Sequence, residues 1–235
     1  MSKCAIILSG GLGTRLKPFT EVIPKPLLPI GEKAVLEIQI ERLKKYGFDH
    51  IFLATNYKAD YIEHFFGDGS RYHVKLEISR EDRPLGTAGP VRLLKERVGD
   101  SFIVMNGDIL SLVDFDKLFN FANSNKSLLT VAIKKLITPY AFGNIYFDGD
   151  LVTGIEEKPD IVSYVLAGIY VMKAEIMDLI PENEYFGMDT LIKKMLELKL
   201  PITKHEITEY WLDIGQIKDY EKAHGIYKDY FSKDE

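Results

Sequence analysis

Cysteine is almost absent from this 235-residue sequence, which has only Cys4 and therefore cannot form an internal disulfide framework. Cys4 falls in the first predicted strand, where we expect a small buried apolar residue rather than a reactive thiol. Histidine is also scarce, and the five histidines show neither metal-ligand spacing nor a nucleophile partner. They are His50, His64, His73, His205 and His224. The sequence thus gives no sign of a histidine-based metal site or catalytic triad.

Long apolar runs and blocks of basic charge are missing as well. The longest apolar run, Val165–Met172, ends at Lys173 and is too short to cross a membrane. The apolar run near the N-terminus is too short for a signal peptide. No run of five or more basic residues occurs and the formal net charge is −5, so no nucleic-acid surface is predicted. We therefore expect a cytoplasmic protein that has no membrane or nucleic-acid partner and acts on small anions.

The order of strand-like and helix-like segments is typical of an α/β protein with a doubly wound sheet. Strands are predicted at Cys4–Leu8, His50–Ala54, Val74–Ile78, Phe102–Met105 and Tyr164–Met172, with a hairpin through Asp148-Gly149. Helices are predicted at Ala34–Tyr46, Asp60–Phe66, Ala88–Val98, Lys173–Leu179, Met188–Leu198 and Lys218–Tyr230. No glycine- or serine-rich linker interrupts this order, which indicates a single domain over residues 1–235.

The most informative segment, Leu8–Pro29, begins where the first predicted strand ends, which is where ligands of open α/β sheets bind. Its glycines allow a tight turn whose free backbone N–H groups can point at phosphate oxygens. Arg15 and Lys25 add two cations, one suited to paired hydrogen bonds and the other acting as a mobile point charge. The segment therefore predicts a polyphosphate site. The glycines concerned are Gly10, Gly11 and Gly13.

Two better-known glycine motifs do not fit this segment. A P-loop needs Lys directly after its last glycine, and none stands there. A dinucleotide-binding fingerprint needs a third glycine where this chain has Leu16, and an acidic residue where the second strand ends in Thr55-Asn56. An NAD-dependent enzyme is therefore not expected. From the glycines and basic residues alone, an ordinary strand-to-helix connection is the alternative.

Two aspartates directly follow apolar runs that predict strands. Asp108 comes after residues 102–107 and Asp213 comes after residues 210–212, so both carboxylates are expected at the ligand-binding edge of the sheet. Proteins commonly hold Mg²⁺ with one or two carboxylates together with substrate phosphates. The alternatives are a surface turn for Asn106-Gly107-Asp108 and a helix N-cap for Asp213.

The run from Gly10 to Ile30 resembles GGxGTRLxPxTxxxPKPLxPI, the signature of the sugar-1-phosphate nucleotidylyltransferases, or nucleotide-sugar pyrophosphorylases. Asn106-Gly107-Asp108 and the stretch WLDIGQIKDY are similar to the two metal-bearing motifs of that family. The resemblance implies a three-layer α/β/α Rossmann-like fold, with a mostly parallel central sheet and added antiparallel strands. It also implies a nucleotide-binding half over about residues 1–126, and a sugar-binding half with a C-terminal helix over about 127–235.

The same resemblance implies which residues form the site. Arg15, Lys25, Asp108 and Asp213 would be catalytic, and the two aspartates would bind Mg²⁺. Glu81 lies where relatives place a side chain that reads the base edge, although a solvated charge cluster with Arg80, Asp82 and Arg83 is the alternative. The PLGTAG run is similar to the base-binding loop of the family. The implied nucleotide-binding residues are Leu8, Gly10, Gly11, Gly13, Thr14, Glu81, Gly86 and Thr87.

A second basic motif occurs at Glu156-Glu157-Lys158-Pro159. We expect the proline to hold Lys158 in an extended conformation. The matching motif of the family supplies a lysine that binds the sugar phosphate and a glutamate that contacts sugar hydroxyls, which implies these functions for Lys158 and Glu157. Phe142-Gly143 and Ala167-Gly168 resemble two further sugar-contacting sites, and a simple turn glycine is the alternative for Gly143 and for Gly168.

Taken together, the motifs imply Mg²⁺-dependent transfer of a nucleoside monophosphate from an NTP to a sugar 1-phosphate, with release of pyrophosphate. The attacking phosphate is already largely ionised at neutral pH, because its second pKa is about 6, so no general base is needed. The runs EDRPLGTAGP and YWLDIGQ look nearest to mannose-1-phosphate or heptose-1-phosphate guanylyltransferases, which favours GTP. The alternatives are another nucleotidylyltransferase of the family, such as a uridylyltransferase, or a catalytically silent sensor of NDP-sugars. A homo-oligomer is left open.

Overall fold

The computed structural model describes residues 3–232. Its strands are β1 (Lys3–Leu8), β2 (Pro29–Ile30), β3 (Lys33–Ala34), β4 (Phe48–Thr55), β5 (Lys75–Arg80), β6 (Ser101–Asn106), β7 (Ile109–Ser111), β8 (Leu129–Pro139), β9 (Asn144–Asp148), β10 (Leu151–Glu156), β11 (Asp160–Lys173), β12 (Ile202–Glu206) and β13 (Trp211–Asp213). Its α-helices are α1 (Phe19–Val22), α2 (Val35–Lys45), α3 (Ala59–Phe66), α4 (Gly89–Arg92), α5 (Phe115–Ser124), α6 (Met188–Glu197) and α7 (Ile217–Tyr230). Short 3-10 helices lie at Thr14–Leu16, Lys25–Leu27, Ser70–Tyr72 and Ala174–Leu179.

Seven strands form the central sheet in the order β12-β8-β11-β6-β1-β4-β5. β1 runs parallel to β4 and β6, and β5 lies parallel beside β4. β12 is parallel to β8, whereas β11 is antiparallel to both β8 and β6. This arrangement confirms the prediction of a mostly parallel sheet with added antiparallel strands.

Alternate side chains of β1 enter two apolar cores on opposite faces of the sheet, as expected for a strand with a side-chain period of two. Ala5 and Ile7 pack with residues of α2, α3 and α5, whereas Cys4 and Ile6 pack with residues of α4 and α6. The three-layer α/β/α architecture is therefore confirmed. Cys4 is buried, as expected, and burial raises the pKa of its thiol to about 12, which disfavours the reactive thiolate.

A third core joins the glycine segment to the C-terminal part of the chain. Its buried residues come from the glycine segment, α2, β7, β13 and α7, and include Leu16, Leu28, Val35, Leu110, Leu212 and Tyr227. Because these elements flank one end of the sheet, their packing fixes the segment next to the two predicted aspartate motifs. Among residues 3–232, no helix has both the length and the apolar character that a membrane crossing requires.

Two predicted helices differ from the structure. The helix expected at Ala88–Val98 is a single turn, α4, and the backbone bonds that follow are short-range, such as Arg97 N–H to Leu94 O at 2.9 Å. A longer helix is not needed at this point, because Val91 and Leu94 already bury the apolar face of the segment before Gly99 leads into β6. The helix expected at Lys173–Leu179 is a 3-10 helix.

Two α-helices were not predicted, the four-residue α1 and the longer α5. α5 begins after Asp114, whose carboxylate accepts the backbone N–H of Lys117 at 2.9 Å and so caps the helix. It buries Phe115, Leu118 and Ala122 against the sheet. An aspartate followed by apolar residues at a spacing of three and four was the signal available in the sequence.

β8 and β11 continue beyond the central sheet as a two-stranded ribbon, which we call the arm together with the β9–β10 hairpin (residues 134–166). β12 leaves β8 opposite Ile133, and β11 joins β6 only from Ile169 onward. Within residues 3–232, strand residues 134–139 of β8 therefore pair with residues 160–165 of β11 alone. The hairpin predicted at Asp148-Gly149 connects β9 to β10 and is confirmed.

Candidate active site

A cleft of about 500 Å³ opens at the carboxyl ends of the parallel strands β1, β4 and β6. It collects eleven residues that the sequence predicted, namely Leu8, Gly10, Gly11, Gly13, Thr14, Arg15, Lys25, Glu81, Gly86, Thr87 and Asp108. The predicted nucleotide-binding residues therefore lie together around one cleft. Of the remaining predicted residues, Asp213, Gly143, Glu157, Lys158 and Gly168 do not line it.

The glycine segment follows β1 and leaves the strand in a tight turn. Gly13 has a φ of 62°, and a β-carbon there would lie 2.8 Å from the Thr20 methyl group. A β-carbon on Gly10 would lie 2.9 Å from Oε1 of Glu81. By contrast, nothing lies within 4 Å of the corresponding position on Gly11. Gly10 and Gly13 are thus required by close packing, while Gly11 leaves backbone open toward the cleft.

Arg15 and Lys25 are each held by a short 3-10 helix at the edge of the cleft. Leu16 is fully buried beside Arg15 and anchors the first of these helices in the third core. The Arg15 guanidinium passes over Gly215, where a β-carbon would lie 3.5 Å from Nη1. Lys25 stands between two prolines, Pro24 and Pro26, which restrict the backbone on both sides.

The two predicted aspartates are brought together by the pairing of β7 with β13. Asp108 ends the turn after β6, and Gly107 in that turn packs so closely that a β-carbon would lie 2.7 Å from Leu8 O. Asp213 is paired with Ile109, and the backbone N–H of Ile214 donates to Asp108 O at 3.0 Å. The two motifs are distant in the sequence but adjacent at this sheet edge.

Opposing charges meet at this aspartate pair. Burial and then the Asp108 carboxylate raise the pKa of Asp213, while Lys25 and Arg15 act in the opposite direction. Asp213 still reaches the surface, so solvent and protein both surround its carboxylate. Lys25 Nζ donates to Oδ2 of Asp108 in an ion pair. The other oxygen of Asp108, Oδ1, is buried without a hydrogen-bond partner.

This donor set fits a divalent metal ion. Two carboxylates are close enough to interact electrostatically, and one of them has a buried oxygen without a hydrogen-bond partner. Oxygen ligands are what Mg²⁺ prefers. Among the described residues, no group of three or more His, Cys, Asp or Glu side chains could hold a metal alone. The remaining ligands would therefore come from substrate phosphates and water, which is how Mg²⁺ is usually bound beside phosphates.

Hydrogen bonds to Phe186 hold the predicted base-binding loop in place, although the sequence analysis did not single out this residue. Phe186 N–H donates to Leu85 O at 2.9 Å, and Phe186 O accepts from the N–H groups of Ala88 and Gly89. Gly86 has a φ of 82°, and a β-carbon there would lie 2.6 Å from Phe186 O. The neighbouring Tyr185 lines the cleft with three quarters of its side chain exposed.

Glu81 is not part of a solvated charge cluster. Its Oε2 accepts the backbone N–H of Leu85 at 2.9 Å, and burial raises the pKa of its carboxyl group. Arg80 pairs instead with Asp60 and Glu63, on the outside of the protein. One carboxylate oxygen of Glu81 thus holds the base loop, and Oε1 faces the glycine segment.

Gln39 is a further residue that sequence reasoning missed. It is 2% exposed on α2, and its Nε2 donates to Asn106 O at 2.9 Å and to Ile109 O at 2.8 Å. These bonds span Asp108, so Gln39 holds the turn that carries this carboxylate. The available signal was a polar residue on the buried face of an amphipathic helix.

The predicted sugar-binding residues fall into two groups. Gly168, with a φ of 68°, lies against Asn106, and the adjacent Ala167 O accepts the Trp211 indole N–H at 2.8 Å. Gly143 lies against Glu157, where a β-carbon would approach Oε2 to 3.0 Å. The first group is next to Asp108, and the second lies on the arm.

The expected conformation of Lys158 is wrong. Its φ is 48°, in the left-handed region, rather than extended. The chain must pass from the end of β10 at Glu156 to the start of β11 at Asp160 within three residues, and the left-handed residue turns it. Lys158 and Glu157 are both exposed.

Comparison with known proteins shows which family this chain is similar to. The nucleotidyl transferase family matches residues 4–229. Mannose-1-phosphate guanylyltransferase 1 of Arabidopsis thaliana is 31% identical over 244 residues, which cover 97% of this chain and 66% of that protein. The UTP–glucose-1-phosphate uridylyltransferase of Synechocystis sp. is 30% identical over 240 residues, which cover 93% of this chain and 62% of that protein. This chain thus spans less than two thirds of the length of either relative.

A solved structure agrees over almost the whole chain. HddC from Yersinia pseudotuberculosis, complexed with GMP-PN, is 29% identical and superposes with a TM-score of 0.74. The match covers 96% of this chain and 99% of that one.

Proposed function

Because this chain belongs to the nucleotidyl transferase family, we propose that it transfers a nucleoside monophosphate from an NTP to a sugar 1-phosphate and releases pyrophosphate. One observation carries the proposal. At the end of the glycine segment, Lys25 pairs with Asp108 beside Asp213, and Oδ1 of Asp108 has no protein partner. A cation and an incompletely coordinated carboxylate pair, next to open backbone, suit a polyphosphate with a divalent metal.

In this proposal the NTP phosphates lie along the glycine segment. Gly11 leaves room for them, and the Arg15 guanidinium supplies paired donors for the leaving pyrophosphate. Asp108 and Asp213 would hold Mg²⁺, which neutralises phosphate charge when bound. Lys25, which pairs with Asp108, would stabilise charge on the α-phosphate as the reaction proceeds.

The sugar phosphate is assigned to the other set of predicted residues. Lys158 and Glu157 would bind the phosphate and the sugar hydroxyls, and Gly143 and Gly168 would let the backbone approach the ring. One phosphate oxygen then attacks the α-phosphorus, a P–O bond forms, and the bond to the β-phosphate breaks. Because this oxygen is already ionised, catalysis rests on alignment and charge stabilisation.

The proposed base is guanine, and it depends on Glu81. Guanine presents two adjacent N–H donors, which a carboxylate can accept together. Oε2 of Glu81 already accepts the Leu85 N–H, so one oxygen would serve both the loop and the base. The relatives include both a guanylyltransferase and a uridylyltransferase, so uracil is the competing base.

A pyrophosphate-release assay tests the proposed function. The purified protein is incubated with each of the four common NTPs and a panel of sugar 1-phosphates, with Mg²⁺ or with a chelator. We expect release only with Mg²⁺, with GTP as the best donor. The control is a calorimetric titration of the same NTPs. Binding of nucleotide or NDP-sugar without any release would reject the enzyme and favour a regulatory NDP-sugar sensor.

Cytoplasmic location stays a prediction of the sequence.

A further inference from the structure

Tyr185 is an aromatic residue that lines the cleft and is open to solvent. It shares the lining with Pro84, Gly86 and Pro90 of the region around the base-binding loop. The residue is 75% exposed. Within residues 3–232, no other ring packs against it and its hydroxyl group makes no hydrogen bond. Its ring is therefore free to contact a molecule that enters the cleft.

The backbone that carries Tyr185 is fixed to the base-binding loop. Phe186 makes three backbone hydrogen bonds of 2.9 to 3.0 Å with residues 85–89. Two residues further on, the backbone N–H of Met188 donates to Oγ1 of Thr87 at 2.8 Å. These bonds hold the start of the Tyr185 side chain in a constant position relative to the loop, so little backbone order has to be gained when the ring contacts a ligand.

Phe186, the next residue in the chain, shows a different environment. Its ring packs, partly buried, against the apolar core that contains Cys4 and Ile6. Single exposed aromatic residues are common on protein surfaces, so exposure alone indicates no function. Tyr185 differs because an exposed ring is combined with a fixed backbone and with a position in the cleft where the predicted nucleotide-binding residues meet.

The position and chemistry of the ring favour contact with a base over contact with a phosphate. A β-carbon on Gly86 would lie 2.6 Å from Phe186 O, so the base-binding loop touches the backbone directly after Tyr185. The face of an aromatic ring is electron-rich and repels phosphate oxygens, whereas it stacks well on the flat face of a nucleobase.

We propose that Tyr185 stacks on the base of the bound NTP. The inference rests on the proposed function, because it requires an NTP in this cleft. Glu81 lines the same cleft and is assigned to the edge of the base, while the ring of Tyr185 covers one of its faces. The phenol ring brings this contact area at a low entropic cost, since it has only two side-chain torsions.

The two residues then contribute in different ways. Every base has a face that can stack, so the contribution of Tyr185 is nearly the same for all four NTPs. The contribution of Glu81 depends on the donors and acceptors at the edge of the base. Tyr185 therefore supplies affinity for nucleosides in general, and Glu81 supplies the choice among them.

Equilibrium binding by calorimetry, with Mg²⁺ and without sugar phosphate, tests the stacking. The ligands are GTP, UTP and inorganic tripolyphosphate, which has the phosphates but no base. Tyr185→Ala should weaken GTP and UTP by similar factors of about 5- to 150-fold, the range of one base–aromatic stack, and should leave tripolyphosphate unchanged. Tyr185→Phe keeps the ring and should bind all three ligands as the wild type does.

Tyr61→Ala on α3 is the matched control. It removes another tyrosine, 56% exposed, that does not line the cleft, and its affinities should equal those of the wild type. Equal losses of GTP and tripolyphosphate in Tyr185→Ala would show that Tyr185 only supports the loop, and would overturn the inference. Unchanged NTP affinity in Tyr185→Ala, or an equal loss in Tyr185→Phe, would overturn it as well.

Steady-state kinetics give a second, independent measurement. Stacking on the base acts on the bound NTP before and during the reaction alike, so Tyr185→Ala should raise KM for the NTP and change kcat little. A fall in kcat at constant KM would contradict the inference. The binding data also separate it from the proposed function. Stacking-dependent binding of NTPs without any pyrophosphate release would reject the transferase and leave the assignment of Tyr185 intact.

Discussion

At the scale of single residues, the aspartate pair gives the sharpest expectation. Asp108→Asn and Asp213→Asn should each lower kcat by at least about 10²-fold, the size expected for one electrostatic group of a transition state. Both amides keep the shape of the side chain, so the circular dichroism spectra should match that of the wild type. Steady-state kinetics at saturating Mg²⁺ give the measurement. Near wild-type turnover in either protein would show that the aspartate concerned does not bind the metal.

The raised pKa of Asp213 predicts how stability depends on pH. The folded protein holds this proton more tightly than the unfolded chain does, so ionisation of Asp213 opposes folding. Below the unfolded pKa of about 3.9 the carboxyl is protonated in both states and the penalty is absent. As the pH rises through the folded pKa, the wild type should lose stability relative to Asp213→Asn. Melting temperatures of both proteins in chelator, from acidic to neutral pH, measure the difference, and a wild type that is the more stable at neutral pH contradicts the expectation.

Glu81 gives a third expectation, concerning the base. Glu81→Ala should lower kcat/KM for GTP by about 1–3 kcal/mol in transition-state binding, and should affect the other NTPs less. Because Glu81 also accepts the Leu85 N–H, Glu81→Gln is a matched variant that keeps an acceptor for the loop. Comparing kcat/KM for all four NTPs separates the two contributions. Equal losses for every NTP would mean that Glu81 supports the loop and does not read the base.

At the scale of elements, the conformation of the predicted base-binding loop depends on Gly86, because only glycine fits this position without strain. Gly86→Ala meets both a left-handed φ of 82° and the carbonyl of Phe186, so the loop should be strained by about 1–3 kcal/mol and KM for the NTP should rise. Gly225→Ala on α7 is the matched control. A β-carbon there has nothing within 4 Å, so this change should stabilise the protein by about 0.5–1 kcal/mol. Thermal melts and NTP kinetics check both, and an unaffected KM in Gly86→Ala would separate this loop from the nucleotide.

The elements that the sequence predicted well are those whose apolar pattern is typical of only one type of secondary structure. β1, β4 and β6 are buried on both faces, so their continuous apolar runs indicate strands. α4 was overestimated because helix periodicity over Ala88–Val98 continues after the need for burial has ended. The turn at Lys158 was wrong because its conformation is set by the distance between β10 and β11, which local preferences do not contain.

The same reasoning explains which parts of the candidate site were predictable. The glycine segment and Asp108 follow strands directly, so their position at the sheet edge could be inferred. Gln39 and Tyr185 reach the site from a helix and a loop that are distant in sequence, and no local pattern connects them to it. The Leu85 contact of Glu81 is local in the sequence, but the loop that presents the Leu85 N–H is itself held by hydrogen bonds to the distant Phe186.

At the scale of the whole molecule, the two groups of basic residues are separate enough to be tested independently. Arg15 lines the cleft, whereas Lys158 lies on the arm outside its lining. Lys158→Ala should mainly raise KM for the sugar phosphate, and Arg15→Ala should mainly impair NTP use and turnover. The control is Lys135→Ala, which removes another exposed lysine of the arm. Kinetics in which Lys158→Ala weakens the NTP and leaves the sugar phosphate untouched would reverse the assignment.

The third core also has a consequence for how the protein matures on the ribosome. Leu16 and Leu28 hold the glycine segment by packing against Leu212 and Tyr227, and Gly31 has no room for a β-carbon beneath the Tyr227 ring. Because translation proceeds from the N-terminus, the glycine segment lacks this packing until Leu212 and Tyr227 have been synthesised. We therefore expect the segment to become ordered only after the residues of α7 are available to pack against it.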